Sequence, residues 1–233
     1  ARAWISGLGG QLPWSKLDSV KFICPVPGYD RHFAICEHFG IEMIPVELGE
    51  DGPDVAEVAR LVADPAVKGI WCVPQYSNPC GYTYSDEVVR GLTALKPAAS
   101  DFRIFWDNAY TVHHLYDEPT QQDHVLNIID ACADAGHPDM VFEFCSTSKV
   151  TLPGAGISAF VSSVANVNEM LAAMGAQTIG FDKLNQLRHV RFLKDAEGVA
   201  AHMSKHAELL RPRFEKVLEI FDEDLGDTGI GSW

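Results

Sequence analysis

Residues 144–160 read Phe-Cys-Ser-Thr-Ser-Lys-Val-Thr-Leu-Pro-Gly-Ala-Gly-Ile-Ser-Ala-Phe. The apolar run 140–144 leads in as a strand and delivers Lys149, flanked by the hydroxyls of Ser146 and Ser148, before a turn at Pro153-Gly154. Residues 156–162 form one more strand, and so short a link makes it antiparallel to the first. A lysine just past a buried strand sits against apolar walls, which disfavour its ammonium and free a nucleophilic amine. A lysine in a Ser/Thr loop is equally a surface charge, and position 149 by itself leaves both readings open. Hydroxyls beside it suit a phosphate-bearing ligand.

Outward from this stretch the chain alternates in period. Apolar runs at 20–24, 41–48, 67–73, 103–106 and 140–144 read as strands. Between them lie helical patterns at 29–39, stopped by Gly40, after Asp54 with Val55, Val58, Leu61 and Val62, after Ser85 with Val88, Val89, Leu92 and Leu95, and at 125–135, closed by Gly136. Asp54 and Ser85 are helix N-caps. Residues 1–8 read as the end of a helix stopped by Gly9-Gly10. Strands alternating with helices define an α/β fold, a mostly parallel sheet with helices on both faces. Ligands of such sheets gather at the carboxyl ends of the strands, and Asn78, Asp107 and Lys149 all follow a strand. Beyond residue 166 the chain turns helical, at 168–174, 182–192 and 196–225, with Pro212 marking a kink or a fresh start in the last.

With 233 residues, 47% of them hydrophobic, the chain buries a sizeable core. A formal net charge of −14 without a basic stripe argues against a nucleic-acid surface. Six cysteines lack metal-type spacing and lie in or beside apolar runs, as free thiols of a reducing cytoplasm do. No apolar run reaches membrane length. The absence of an initiator methionine and the Gly-Ile-Gly-Ser-Trp ending at 229–233 read as a partial chain. Residues 1–195 are expected to be one large domain with an incomplete N-terminus. Residues 196–233 are expected to link it to a small domain that is mostly absent.

A pyridine aldehyde phosphate meets three needs in such a site: an amine for its aldehyde, a carboxylate for its ring nitrogen, and donors for its ring oxygen. Lys149, Asp107 and the pair Asn78 and Tyr110 fit them in turn. Ser-Asn-Pro-Cys-Gly at 77–81, Asp-Asn-Ala-Tyr at 107–110 and Ser-Thr-Ser-Lys at 146–149 resemble the ordered motifs of fold-type I pyridoxal-phosphate aminotransferases. Residues 24–33, Cys-Pro-Val-Pro-Gly-Tyr-Asp-Arg-His-Phe, and 185–189, Asn-Gln-Leu-Arg-His, resemble the actinobacterial aspartate aminotransferase branch.

The resemblance implies pyridoxal 5′-phosphate as cofactor and Lys149 as its Schiff-base lysine and later proton carrier. It implies Asp107 on the pyridinium nitrogen, Tyr110 and Asn78 on the ring oxygen, Asn78 also on the substrate α-carboxylate, Ser146 and Ser148 on the phosphate, and Tyr29 stacked on the ring. It further implies transamination between aspartate or glutamate and a 2-oxo acid, and a homodimer. One departure stands out. Where the family pattern has a phosphate-gripping arginine after the Pro-Gly, this chain has Gly156.

Alternatives stay open at several positions. Tyr110 is equally a core tyrosine, and Tyr29 a turn residue packed on the following helix. Arg31 is a helix-surface charge or a partner for the distal carboxylate of a dicarboxylic substrate, which its planar guanidinium suits. Arg188 reads as a structural or interface arginine, and His113 and His114 as structural histidines. The competing functions are a lyase using the same cofactor and a non-catalytic sensor domain of a transcription regulator.

Overall fold

The computed structural model describes residues 1–226, 228 and 229. The ending at 230–233, on which the reading of a partial chain draws, lies outside the described residues. The chain forms two compact units, one of Ala1–Tyr110 and His124–Lys183, the other of Thr111–Asp123 and Leu184–Trp233.

The first unit is built on seven strands: β1 (Lys21–Val26), β2 (Glu42–Gly49), β3 (Gly52–Pro53), β4 (Val67–Cys72), β5 (Arg103–Asp107), β6 (Val141–Ser146) and β7 (Ser158–Val161). They lie in the order β3-β2-β1-β4-β5-β6-β7. The pairs among β2, β1, β4, β5 and β6 are parallel, while β3 and β7 close the two edges antiparallel. The antiparallel turn expected after Lys149 is therefore present. The two-residue β3, too short for any period, carries no signal in the sequence.

The strand period of two sorts side chains onto two unlike faces. Ile44, Ile23, Ile70, Ile104 and Val141 pair across five neighbouring strands in one aliphatic row. Over it pack Val58 and Val62, Val89 and Leu92, and Ile128 and Cys132. These come from α3 (Val55–Leu61) and its cap, α4 (Asp86–Thr93) and α5 (Ile128–Asp134). Each fully buried Ile or Val in that layer stabilises the fold by ~1.5–3 kcal/mol. The opposite face carries Phe22, Trp71, Phe105, Phe142 and Phe144, covered by Ala3 of α1 (Arg2–Ser6) and by Cys36 and Phe33 of α2 (Asp30–Phe39). Phe22 lies so close over β4 that a Cβ at Gly69 would meet its ring at 2.7 Å. Only glycine leaves room for the ring there.

Caps explain where helices begin. Asp54 Oδ1 accepts from Ala56 and Glu57 N–H at 2.9 and 3.1 Å, and Ser85 Oγ accepts from Val88 N–H at 3.3 Å, as their residue types lead one to expect. Two caps correct the sequence reading. Asn127 accepts from Ile129 and Asp130 N–H, so α5 starts at Ile128 and not at 125. Ser163 Oγ accepts from Asn166 N–H at 3.2 Å, so α6 spans Val164–Gln177, twice the length expected for it.

In the second unit, α7 (Lys183–Leu193, from Leu184 on) precedes α8 (Ala196–Leu225), which runs through Pro212 as one helix. Of the kink or fresh start read at Pro212, the fresh start does not occur. The segment 111–123 is tied to α8 by Arg211, whose Nε donates to Leu115 O at 2.8 Å and whose guanidinium lies 5.3 Å from the Tyr116 ring. Among the described residues no helix is long and apolar enough to cross a membrane.

Candidate active site

All the expected site residues belong to the first unit, and the sheet brings most of them to its carboxyl edge. Asp107 is the last residue of β5 and, two residues from Phe105, falls on the aromatic side, the side of α2. There Asp107 Oδ2 lies 3.0 Å from Nε2 of His32, one turn into α2. The imidazole is buried, whereas the carboxylate keeps 29% of its side chain exposed.

His32 is held on two sides. Its ring stacks on Trp71 of β4 at 4.4 Å between centroids and 9° between planes, and Tyr29 meets it edge-on at 5.3 Å. Tyr29, the N-cap residue of α2, in turn faces the lysine: Lys149 Nζ lies 6.0 Å from its ring and 4.6 Å from that of Tyr110. An ammonium over tyrosine faces is favourable by ~0.5–1 kcal/mol at exposed sites. Lys149, Tyr110, Tyr29, His32 and Asp107 thus form one continuous group. Tyr29 does pack on α2, but also reaches the lysine. The lysine itself is exposed. Of the two readings of Lys149 the surface charge holds and the apolar walls are not there, because β6 ends at Ser146 and Lys149 stands in the open turn beyond it.

The loop after β4 is closed by Gly81 N–H donating to Ser77 O at 2.6 Å and Tyr82 N–H to Ser77 Oγ at 3.1 Å. It places Asn78, exposed, on the rim of a small cavity shared with Tyr29, His32 and Trp71. Arg31, next to His32 in sequence, is exposed and joins none of these contacts. Arg188 is exposed on α7 of the second unit, and His114 lines a separate cavity of that unit.

The turn carrying the hydroxyls is compact. Ser146 Oγ and Ser148 Oγ lie 2.7 Å apart, and Ser148 N–H donates to Ser146 Oγ at 3.0 Å. Thr147 locks the turn to the return strand, its N–H donating to Ile157 O and its Oγ1 accepting from Ile157 N–H, each at 2.9 Å. Gly156 is pressed against this turn: a Cβ there would meet Ser148 Oγ, N and Cα at 2.8, 2.9 and 3.0 Å. The departure from the family pattern therefore has a steric reason. No side chain, least of all an arginine, fits at 156 while Ser148 keeps its place. A hydroxyl pair left clear by a glycine, a primary amine beyond it, a tyrosine face and a half-exposed carboxylate fit the phosphate, aldehyde, ring and ring nitrogen of pyridoxal 5′-phosphate. Among the described residues no group of three metal-ligating side chains converges.

His32 and Trp71 were not singled out from the sequence. A signal existed for His32: its spacing of three from Tyr29 puts both on one helical face. Trp71 read simply as strand core. Behind it, Cys36 of α2 accepts the indole N–H at 3.4 Å, and the Cys24 thiol donates to Phe22 O at 3.7 Å. The adjacent Cys36 thiol and burial push Cys24 well above its ordinary range.

A mostly parallel sheet with an amine, a carboxylate and a hydroxyl turn at its carboxyl edge defines an α/β protein with a candidate ligand site at that edge. The chain belongs to the aspartate amino-transferase family, whose model matches residues 1–233. It is 51% identical over 221 residues to an aspartate aminotransferase of Corynebacterium glutamicum, covering 95% of this chain and 50% of that one. The crystal structure of an aspartate transaminase from the same species superposes with a TM-score of 0.95 at 49% identity, covering all of this chain and 54% of that one. The fold alone is shared with the Thermus thermophilus α-aminoadipate aminotransferase LysN, solved with N-(5′-phosphopyridoxyl)-L-leucine, at a TM-score of 0.72 and 19% identity. The chain spans about half the length of these relatives.

Proposed function

We propose that this chain carries the cofactor site of a pyridoxal-phosphate-dependent transaminase that moves the amino group of aspartate or glutamate to a 2-oxo acid. The observation that carries the reading is the unbroken group from Lys149 through Tyr29 and His32 to Asp107. It brings together at the carboxyl edge of the sheet an amine and a carboxylate, the groups that the aldehyde and the ring nitrogen each need. When bound, the cofactor supplies an electron sink for the charge left when a proton leaves the substrate α-carbon.

The protein's part is binding, orientation and proton movement. Lys149 Nζ is the amine that takes up the cofactor and then the base that carries the proton. Asp107, kept in place by His32, holds the ring nitrogen protonated. Tyr29 covers one ring face, and Tyr110 and Asn78 donate to the ring oxygen, Asn78 also to the substrate α-carboxylate. Ser146 and Ser148 take the phosphate. We assign Arg31 to the distal carboxylate of a dicarboxylic substrate; Arg31→Gln then raises KM for aspartate and leaves that for alanine unchanged.

We read residues 1–195 as the cofactor-binding domain and 196–233 as the link to a smaller one, in a homodimer of a reducing compartment such as the cytoplasm. The free state of all six cysteines and the family itself support this. The test is an absorbance titration of the full-length protein loaded with pyridoxal 5′-phosphate. Aspartate should bleach the visible band, and 2-oxoglutarate should restore it. No spectral change with any amino acid, or unimpaired turnover by Lys149→Ala, would overturn the proposal.

A further inference from the structure

We propose that Trp71 is a positioning residue for the carboxylate of Asp107, acting through His32; the inference rests on the assignment of Asp107 to the cofactor ring nitrogen. An imidazole turns about a broad terminal torsion, so a hydrogen bond at one nitrogen does not by itself fix the ring plane. In this protein the plane is set by the indole beneath it, parallel to within 9° at 4.4 Å. With that plane held, Nε2 points at Asp107 Oδ2, 3.0 Å away. Any rotation of the imidazole short of a half-turn that swings Nε2 off the carboxylate also breaks the stack.

The platform is itself immobilised. The Trp71 indole N–H donates to Cys36 Sγ at 3.4 Å, and its ring leans on Phe105 at 4.8 Å and on Phe22 at 5.6 Å. Phe105 is two residues from Asp107 on the same strand and face. The aromatic layer of the sheet therefore continues to the site and ends in His32, whose buried ring faces the half-exposed carboxylate. Among the described residues Asp107 has one side-chain partner, His32 at Oδ2, and no second side chain to steady it. Loss of the stack lets the carboxylate wander, and cofactor binding weakens with it.

The experiment uses the full-length protein and four variants, Trp71→Leu, Trp71→Phe, Phe142→Leu and Asp107→Asn. Three quantities are read: the dissociation constant for pyridoxal 5′-phosphate by absorbance, the thermal midpoint, and the His32 ring-proton shifts in cofactor-free protein. Trp71→Leu should weaken cofactor binding roughly tenfold, the worth of one lost aromatic stack with its consequence for the carboxylate. It should also abolish the upfield ring-current shift of His32. Trp71→Phe keeps a ring face without the N–H donor and should recover most of both.

Phe142→Leu loosens the same layer without touching Trp71 or His32, so it should lower the midpoint yet leave the affinity near wild type. Wild-type affinity in Trp71→Leu, or an equal loss in Phe142→Leu, overturns the proposal. If Trp71→Leu fails to fold, Trp71→Phe decides, since it must keep the His32 shift and the affinity together. The Asp107→Asn control separates the two readings. If Asp107→Asn binds cofactor like wild type, the functional reading fails and this inference with it. If Asp107→Asn binds weakly while Trp71→Leu does not, the positioning role alone is lost.

Discussion

The two ends of β5 carry similar residues and treat them differently. Just before its amino end, Asp101 is 3% exposed and accepts from Lys68 Nζ at 2.7 Å and Trp14 Nε1 at 2.8 Å. Arg103, also buried, donates through Nη1 to Phe102 O at 2.8 Å and lies 5.4 Å from the Phe142 ring. Burial pulls that guanidinium down from its ordinary value. At the carboxyl end, Asp107 has one side-chain partner among the described residues and keeps 29% of its side chain exposed. A carboxylate offers about four acceptor sites. Those of Asp101 are spent inside the protein, whereas most of those of Asp107 are left for something else. The same side chain serves stability at one end of the strand and chemistry at the other, because a parallel sheet turns the carboxyl ends of its strands toward ligand-bearing loops.

Substitutions at the two ends should therefore separate activity from stability. Lys149→Ala is expected to lower turnover by about 10⁴-fold, since amine and base are lost together, with a melting midpoint like that of the wild type. Lys68→Met leaves Asp101 buried without its ammonium partner and should cost ~3–5 kcal/mol in a denaturant titration, while cofactor affinity per folded molecule holds. Asp107→Asn should reverse that pattern, with turnover down about 10²–10³-fold and stability changed by less than about 1 kcal/mol. An Asp107→Asn variant as unstable as Lys68→Met would erase the distinction between the two ends.

Gly156→Ala pushes a methyl group into Ser148 and should weaken pyridoxal 5′-phosphate about tenfold, the loss of one hydrogen bond to a charged group. Pyridoxal, which lacks the phosphate, should bind unchanged. Equal losses for both would mean that the hydroxyl turn does not hold phosphate. Trp14→Phe has the smallest effect, ~1 kcal/mol of stability for one hydrogen bond to an already ion-paired carboxylate, and none on activity.

Much of this architecture is legible residue by residue. The runs at 20–24, 67–73 and 103–106 announce buried strands, and Asp54 and Ser85 announce helices, because each is a local matter of period or of one side chain meeting an amide two or three residues on. Asn127 and Ser163 obey the same rule and were simply outweighed by the apolar residues around them. Lys149, Asp107 and Asn78 stood out because each follows a strand. Whether Lys149 is exposed or walled in stays open in the sequence, since it depends on where β6 stops relative to the rings of Tyr29 and Tyr110.

The amino-acid sequence by itself determined the alternation of strand and helix, the place of the amine, carboxylate and hydroxyls along it, and the glycine at 156. Only the tertiary structure decided that His32 meets Asp107 across 75 residues, that Trp71 lies flat beneath it, and why 156 has no room for a side chain. Period and capping act over a few residues. Contacts between distant segments are set by strand order and register, which no single segment encodes.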